Sequence, residues 1–174
     1  MPFTPLHMGP GLLIKAILQG SFSLIIFGWA QIMMDLQPLF ALTTGIGDLH
    51  GISHTYPAAT VITILSALSG KQLTEFCLKF RGSAYKTTPV TITWPVALFS
   101  AFIGTFSHVL LDSIMHGDIT PFYPFTLSNE LLEFISVNQL HTFCIYSGLI
   151  GAGLYVLVRF VSRKQNQNNQ SHNR

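Results

Sequence analysis

Residues Phe106 to Asp118 read FSHVLLDSIMHGD, the end of an apolar run that begins near Val90. The run has the makings of a membrane span, yet it finishes with His108, Asp112 and His116. Their spacing is close to one helical turn, so in a helix the three side chains share a face. Ionisable groups on a membrane helix are costly and persist where a partner or a function holds them. The stretch therefore predicts a helix in an apolar medium and a polar site at its end.

The rest of the chain supports the apolar medium. Of 174 residues, 49% are hydrophobic and 9% charged, with a mean hydropathy of +0.47. Soluble domains carry roughly 25% charged residues, so water could not wet such a surface in the usual way. An all-α, polytopic membrane bundle follows, one domain over residues 1–164, with the lipid bilayer as its partner. The polar stretch over residues 165–174 is expected to be a disordered tail. A net charge of +2 gives no surface for nucleic acid. Cys77 and Cys144 sit in apolar stretches and read as small core residues, forming no disulfide framework. The start, MPFTPLHMGPG, has no basic segment or small-residue cleavage site and does not read as a signal peptide.

Three later spans are predicted: Leu140 to Val161, Val90 to Met115, and the shorter Pro57 to Gly70. KQLTEFCLKF, which follows the last of these, reads as an amphipathic interfacial segment. The basic residues Lys71, Lys79, Arg81 and Lys86 form one cluster; Arg159, Arg163 and Lys164 form another. The positive-inside rule puts both the loop around residues 71–86 and the carboxyl terminus on the cytoplasmic face. The histidines then fall on the opposite side. Met8 to Asp35 allows two readings. One helix from His7 to Asp35 would be about 42 Å long and put those side chains on opposite faces. A break at Gln19-Gly20-Ser21 would instead fold the segment into a hairpin.

Metal-ligand chemistry recurs along this apolar chain. His7, Asp35, His50 with His54, His108 with Asp112, and His116 supply imidazole and carboxylate, which suit zinc, or manganese or iron. His50/His54 and His108/Asp112 are each spaced so that a helical turn aims both groups at one ion. Each element also has a plain alternative: a solvated histidine pair, a helix-start histidine at His7, a capping Asp35, an intrahelical His108–Asp112 hydrogen bond. Together those alternatives require several coincidences on one side of a membrane.

The series His7, DLQP, LHGISHT and SHVLLDSIMHGDITPFYPF resembles the LexA-binding, inner-membrane-associated, metal-dependent hydrolases over about Pro5 to Phe125. More distantly it is similar to the zinc-dependent phospholipase C and P1 nuclease superfamily. The resemblance implies His7, Asp35, His54, His108 and Asp112 as metal ligands, with His50 close behind, and favours the hairpin. It implies one or two divalent ions, zinc by the chemistry of the set, at a membrane-bound hydrolase of lipid or envelope phosphoesters. Asp35 or Asp112 would orient water, and His116 or His50 would protonate the leaving group. Two departures stand out: Gln37 replaces a carboxylate, and His141 is followed four residues on by Ile145 where the phospholipases have Glu. The competing expectation is a non-catalytic membrane protein stapled by a structural metal.

Overall fold

The computed structural model describes residues 4–82 and 91–172. Among these residues all regular structure is helical: α1 (Thr4–Leu18), α2 (Leu24–Met34), α3 (Leu36–Thr44), α4 (Tyr56–Gly82), α5 (Trp94–Met115) and α6 (Val137–His172). Three stretches are long and apolar enough to cross a membrane: Leu24–Thr44, Trp94–Met115 and Val137–Gln165. The expected Pro57–Gly70 span is not among them. It forms the first part of α4, where Thr60, Thr63, Ser66 and Ser69 dilute the apolar run, and KQLTEFCLKF continues the same helix. Lys86 and Val90 lie outside the described residues.

The chain does break at Gln19–Ser21, in a short 3-10 turn. Lys15 closes that turn by donating to the carbonyls of Gln19 and Phe22, at 2.6 and 2.7 Å. The Gln19 carbonyl also accepts from Phe22 N, at 3.4 Å. Ser23 then starts α2, accepting from Ile26 N at 3.3 Å, while its own N–H donates to Ser100 Oγ of α5 at 2.8 Å.

Small residues let the helices approach closely. Ala97, Ala101 and Gly104 form a buried stripe on α5, and a Cβ at Gly104 would press on Ala30 and the Phe27 carbonyl of α2. His108 and Asp112 continue that same stripe towards the end of α5. Side-chain hydrogen bonds cross-link the bundle: the Thr63 and Thr105 hydroxyls pair at 2.6 Å, and Trp29 Nε1 donates to Ser69 Oγ at 2.8 Å. On the other flank α1 lies along α6. A Cβ at Gly9 would overlap the Cys144 carbonyl, and one at Gly151 would overlap Leu13 of α1. Gly148 and Gly151 thus serve an intrachain seam.

Cys144 is buried as expected, but Cys77 is exposed on the polar half of α4. The expected disordered tail also differs. Residues 165–172 prolong α6, where neither Gly nor Pro interrupts the helix; Asn173 and Arg174 lie outside the described residues. Of the apolar window in α6 only 17% is buried, leaving Phe143, Tyr146, Leu149 and Phe160 more than half exposed. Water would not tolerate that area without a covering phase.

Candidate metal centre

The site forms where α2 and α5 end and α1 and α4 begin. Asp35 is the single residue between α2 and α3, and its side chain does not cap the start of α3. Its Oδ1 lies 3.3 Å from His108 Nε2 instead. His108 Nε2 is also 3.0 Å from Asp112 Oδ2, and His54 Nε2 is 3.3 Å from the same oxygen. His7 meets the other oxygen, Asp112 Oδ1, at 3.5 Å. His54, His108 and Asp112 are at most 5% exposed.

Asp35, His54, His108 and Asp112 each offer a ligand atom within 4.8 Å of the other three. Two ligands bound at ~2.1 Å to one tetrahedral ion lie roughly 3.4 Å apart, so the observed spacings suit a common ion. His7 is at the rim of this group, reaching Asp112 and standing edge-on to His108 with ring centroids 5.0 Å apart.

The hydrogen-bond pattern says more. His108 Nδ1 faces Gln31 Oε1 at 2.6 Å, while Gln31 Nε2 donates to the Gly104 carbonyl at 3.1 Å. The amide is thereby oriented with its acceptor towards the ring. Nδ1 must carry the proton, which in the neutral ring leaves Nε2 as a bare lone pair. His108 Nε2 and His54 Nε2 are buried and have no hydrogen-bond partner, although carboxylate oxygens stand 3.0–3.3 Å away. An in-line His108–Asp112 hydrogen bond, the plain alternative, is therefore not formed. Lone pairs facing carboxylates repel unless a proton or a metal cation is held between them. Neutral imidazoles and two carboxylates sum to two negative charges, which one divalent ion balances. The residues present fit a metal.

Burial pushes the His54 imidazole below its usual range, with Asp112 offsetting part of the effect. His54 is thus held in the neutral form that ligates. Its loop is set by Gln37, whose Oε1 accepts from Ser53 N at 2.9 Å. Gln37 acts through its carbonyl on the backbone that presents His54, and is outside the ligand group. Ser53 Oγ pairs with His54 Nδ1 at 2.9 Å, the outer contact that orients such a ring.

His50 and His116 do not join the group of four. The chain leaves α5 at His116, whose extended backbone turns the side chain off the His108/Asp112 face. They gather instead with Asp118. His50 Nδ1 is 2.9 Å from Asp118 Oδ2, and the His50 and His116 rings stack at 4.2 Å. Burial lowers the His116 pKa, and the neighbouring His50 lowers it further. For Asp118, burial raises the carboxyl, but the His50 hydrogen bond and charge prevail and leave it below the usual range. The two groups are neighbours, with His50 and His54 ring centroids 5.2 Å apart.

The sequence reading missed Gln31 and Asp118. Asp118 had a signal, two residues after His116 in MHGD; Gln31 had none, being one amide in an apolar helix. No protein family, curated protein or solved structure matches this chain.

Proposed function

We propose that the protein is a membrane-bound, metal-dependent hydrolase of phosphoesters. The observation that supports it best is the pair of buried, unpartnered nitrogens, His54 Nε2 and His108 Nε2, turned towards the carboxylates of Asp35 and Asp112. The resemblance of DLQP, LHGISHT and SHVLLD to the inner-membrane hydrolases points the same way. Asp35, His54, His108 and Asp112 would hold a divalent ion, with zinc the best match for two imidazoles and two carboxylates. When bound, such an ion supplies Lewis acidity and makes a proton of water removable near neutral pH.

The chain's own groups divide the remaining work. Asp112, flanked by His7, His54 and His108, is committed to holding imidazoles and cation. Asp35, with a side chain 16% exposed, is the more accessible of the two carboxylates. In hydrolysis the water oxygen bonds to phosphorus as the ester P–O bond breaks. The water gives up one proton, and the leaving oxygen takes one up from solvent.

The membrane setting supports an amphiphilic substrate. Phe125, Leu127 and Phe134 are 73–86% exposed on the connection after α5, close in sequence to Asp118. An apolar rim of this kind sits well at a bilayer surface. The clusters of Lys71 with Lys79 and of Arg159 with Arg163 and Lys164 lie on helix ends remote from the site. By the positive-inside rule that end would face the cytoplasm of an inner membrane and the metal centre the other side.

A second reading has one observation of its own. Four protein ligands, nearly all buried, are the pattern of a structural ion. The test is purified protein in detergent, assayed for zinc and for hydrolysis of bis(p-nitrophenyl) phosphate, wild type against Asp112→Ala. Zinc near one or two equivalents with turnover lost in the variant upholds the hydrolase. Zinc retained by the wild type with no turnover on aryl or lipid phosphodiesters favours the staple.

A further inference from the structure

We propose that His50, His116 and Asp118 form a second divalent-cation site, and that its ion is the one exposed to substrate. The second part rests on the hydrolase reading; the first stands without it.

The three residues offer ligand atoms within 4.8 Å of one another. A simple ion pair would account for His50 and Asp118 at 2.9 Å. It does not account for His116, whose ring lies nearly parallel to that of His50, 25° apart, at 4.2 Å. Two stacked imidazoles disfavour double protonation, which leaves ring-nitrogen lone pairs available to a cation. The positions come from separate segments that the fold pins. Asn129 Nδ2 donates to the carbonyls of Ser113 and His116, at 2.8 and 3.3 Å, fixing the end of α5. Tyr56 N donates to the Pro121 carbonyl at 2.8 Å, tying the Asp118 loop to the start of α4.

The two sites differ in access. The Asp35/His54/His108/Asp112 group is closed by four protein ligands. The second has three, and its Asp118 side chain is 57% exposed whereas that of His50 is 7% exposed. His50 and Asp118 line a cleft of about 500 Å³, which Asp48, Thr120, Tyr123 and Leu127 also border. Three protein ligands with open positions facing a cleft is the arrangement of catalytic sites; four with none is that of structural ones. The division of labour follows: the buried ion fixes the helix ends, and the cleft-facing ion has room for water and a phosphoryl oxygen. The apolar wall at Tyr123 and Leu127 suits the hydrocarbon part of a membrane-borne phosphoester.

Zinc titration of the full chain in detergent tests the site, with melting temperature as the check on folding. The wild type should bind two equivalents. Asp118→Asn and His116→Gln should each keep one, with the melting temperature of the protein holding that one ion, and lose at least 100-fold in phosphodiester hydrolysis. A wild type saturating at one equivalent, or variants that keep two, overturns the second site. Should the variants lose one ion while the wild type hydrolyses no phosphoester, the site stands and the hydrolase reading falls. Turnover by a chain holding one equivalent, untouched by Asp118→Asn, upholds the hydrolase and overturns the second site.

Discussion

Gln31 sets the tautomer of His108: its Oε1 accepts from Nδ1 at 2.6 Å, which turns the bare Nε2 to within 3.0 Å of Asp112. The amide is itself fully buried and anchored on the Gly104 carbonyl, so ring and helix are held as one unit. Outer contacts of this kind tune affinity without touching the ion. Gln31→Leu keeps the volume and removes the acceptor. Zinc affinity should fall by about 10–100-fold, read by competition with a chromophoric chelator, with helix content unchanged.

Removing the metal should destabilise the fold. Without a cation the Asp112 carboxylate stays in a buried pocket with only imidazoles beside it, and an uncompensated buried charge costs several kcal/mol. At free zinc a thousand-fold above Kd, the bound ion contributes about 4 kcal/mol. For a chain of this size that corresponds to on the order of 10 °C in melting temperature. Dialysis against a chelator should lower the midpoint by that amount and added zinc should restore it. Asp112→Asn should show the low midpoint with or without zinc.

The α1–α6 seam makes its own prediction. Side chains at Gly9 or Gly151 would overlap backbone of the facing helix, whereas a Cβ at Gly153 meets nothing within 4 Å. Gly9→Leu and Gly151→Leu should each destabilise by about 1–3 kcal/mol or more, as overpacked sites do. Thermal unfolding in detergent should show both losses, with Gly153→Leu at the wild-type value.

Glu75 should register in the acid limb of stability. It accepts from Lys71 one turn away and from Ile92 N at 2.9 Å, tying α4 to the segment before α5. Lys71 and the Ile92 N–H hold its carboxyl below the usual range. A depressed carboxylate pKa means the folded state binds fewer protons than the unfolded one. Its contribution is present above the unfolded value of ~4.3 and disappears as pH falls through the lower folded value. Glu75→Gln should remove that part of the slope below pH ~4.3 in an unfolding titration.

How much of this was legible beforehand varies by residue. The His108/Asp112 pair was readable because a helix translates four-residue spacing into a shared face. The break at Gln19-Gly20-Ser21 was visible only as an alternative, since a glycine marks a turn weakly; the Lys15 contacts that close it are local but form only once the helix has broken. The same helical logic misplaced His116. Four-residue spacing continues the stripe only while the helix lasts, and α5 stops at Met115. His50 parts from His54 for the mirror reason, because Ile52–His54 is a 3-10 turn and does not superpose residues four apart. Gln37 could be seen as a departure from a carboxylate, but its hydrogen bond to Ser53 N depends on a loop closing back over it. Gln31 was hidden because what it does depends on a ring seventy-seven positions away.

The glycine seam also has a consequence for biosynthesis. α1 emerges first, yet the surface it lies against is α6, the final helix. Until Cys144 to Gly151 have left the ribosome, His7 has no fixed address, and the rim of the metal centre is incomplete. The four candidate ligands Asp35, His54, His108 and Asp112 all precede α6, so a chain stalled there would already carry them while the rim at His7 still lacked its support.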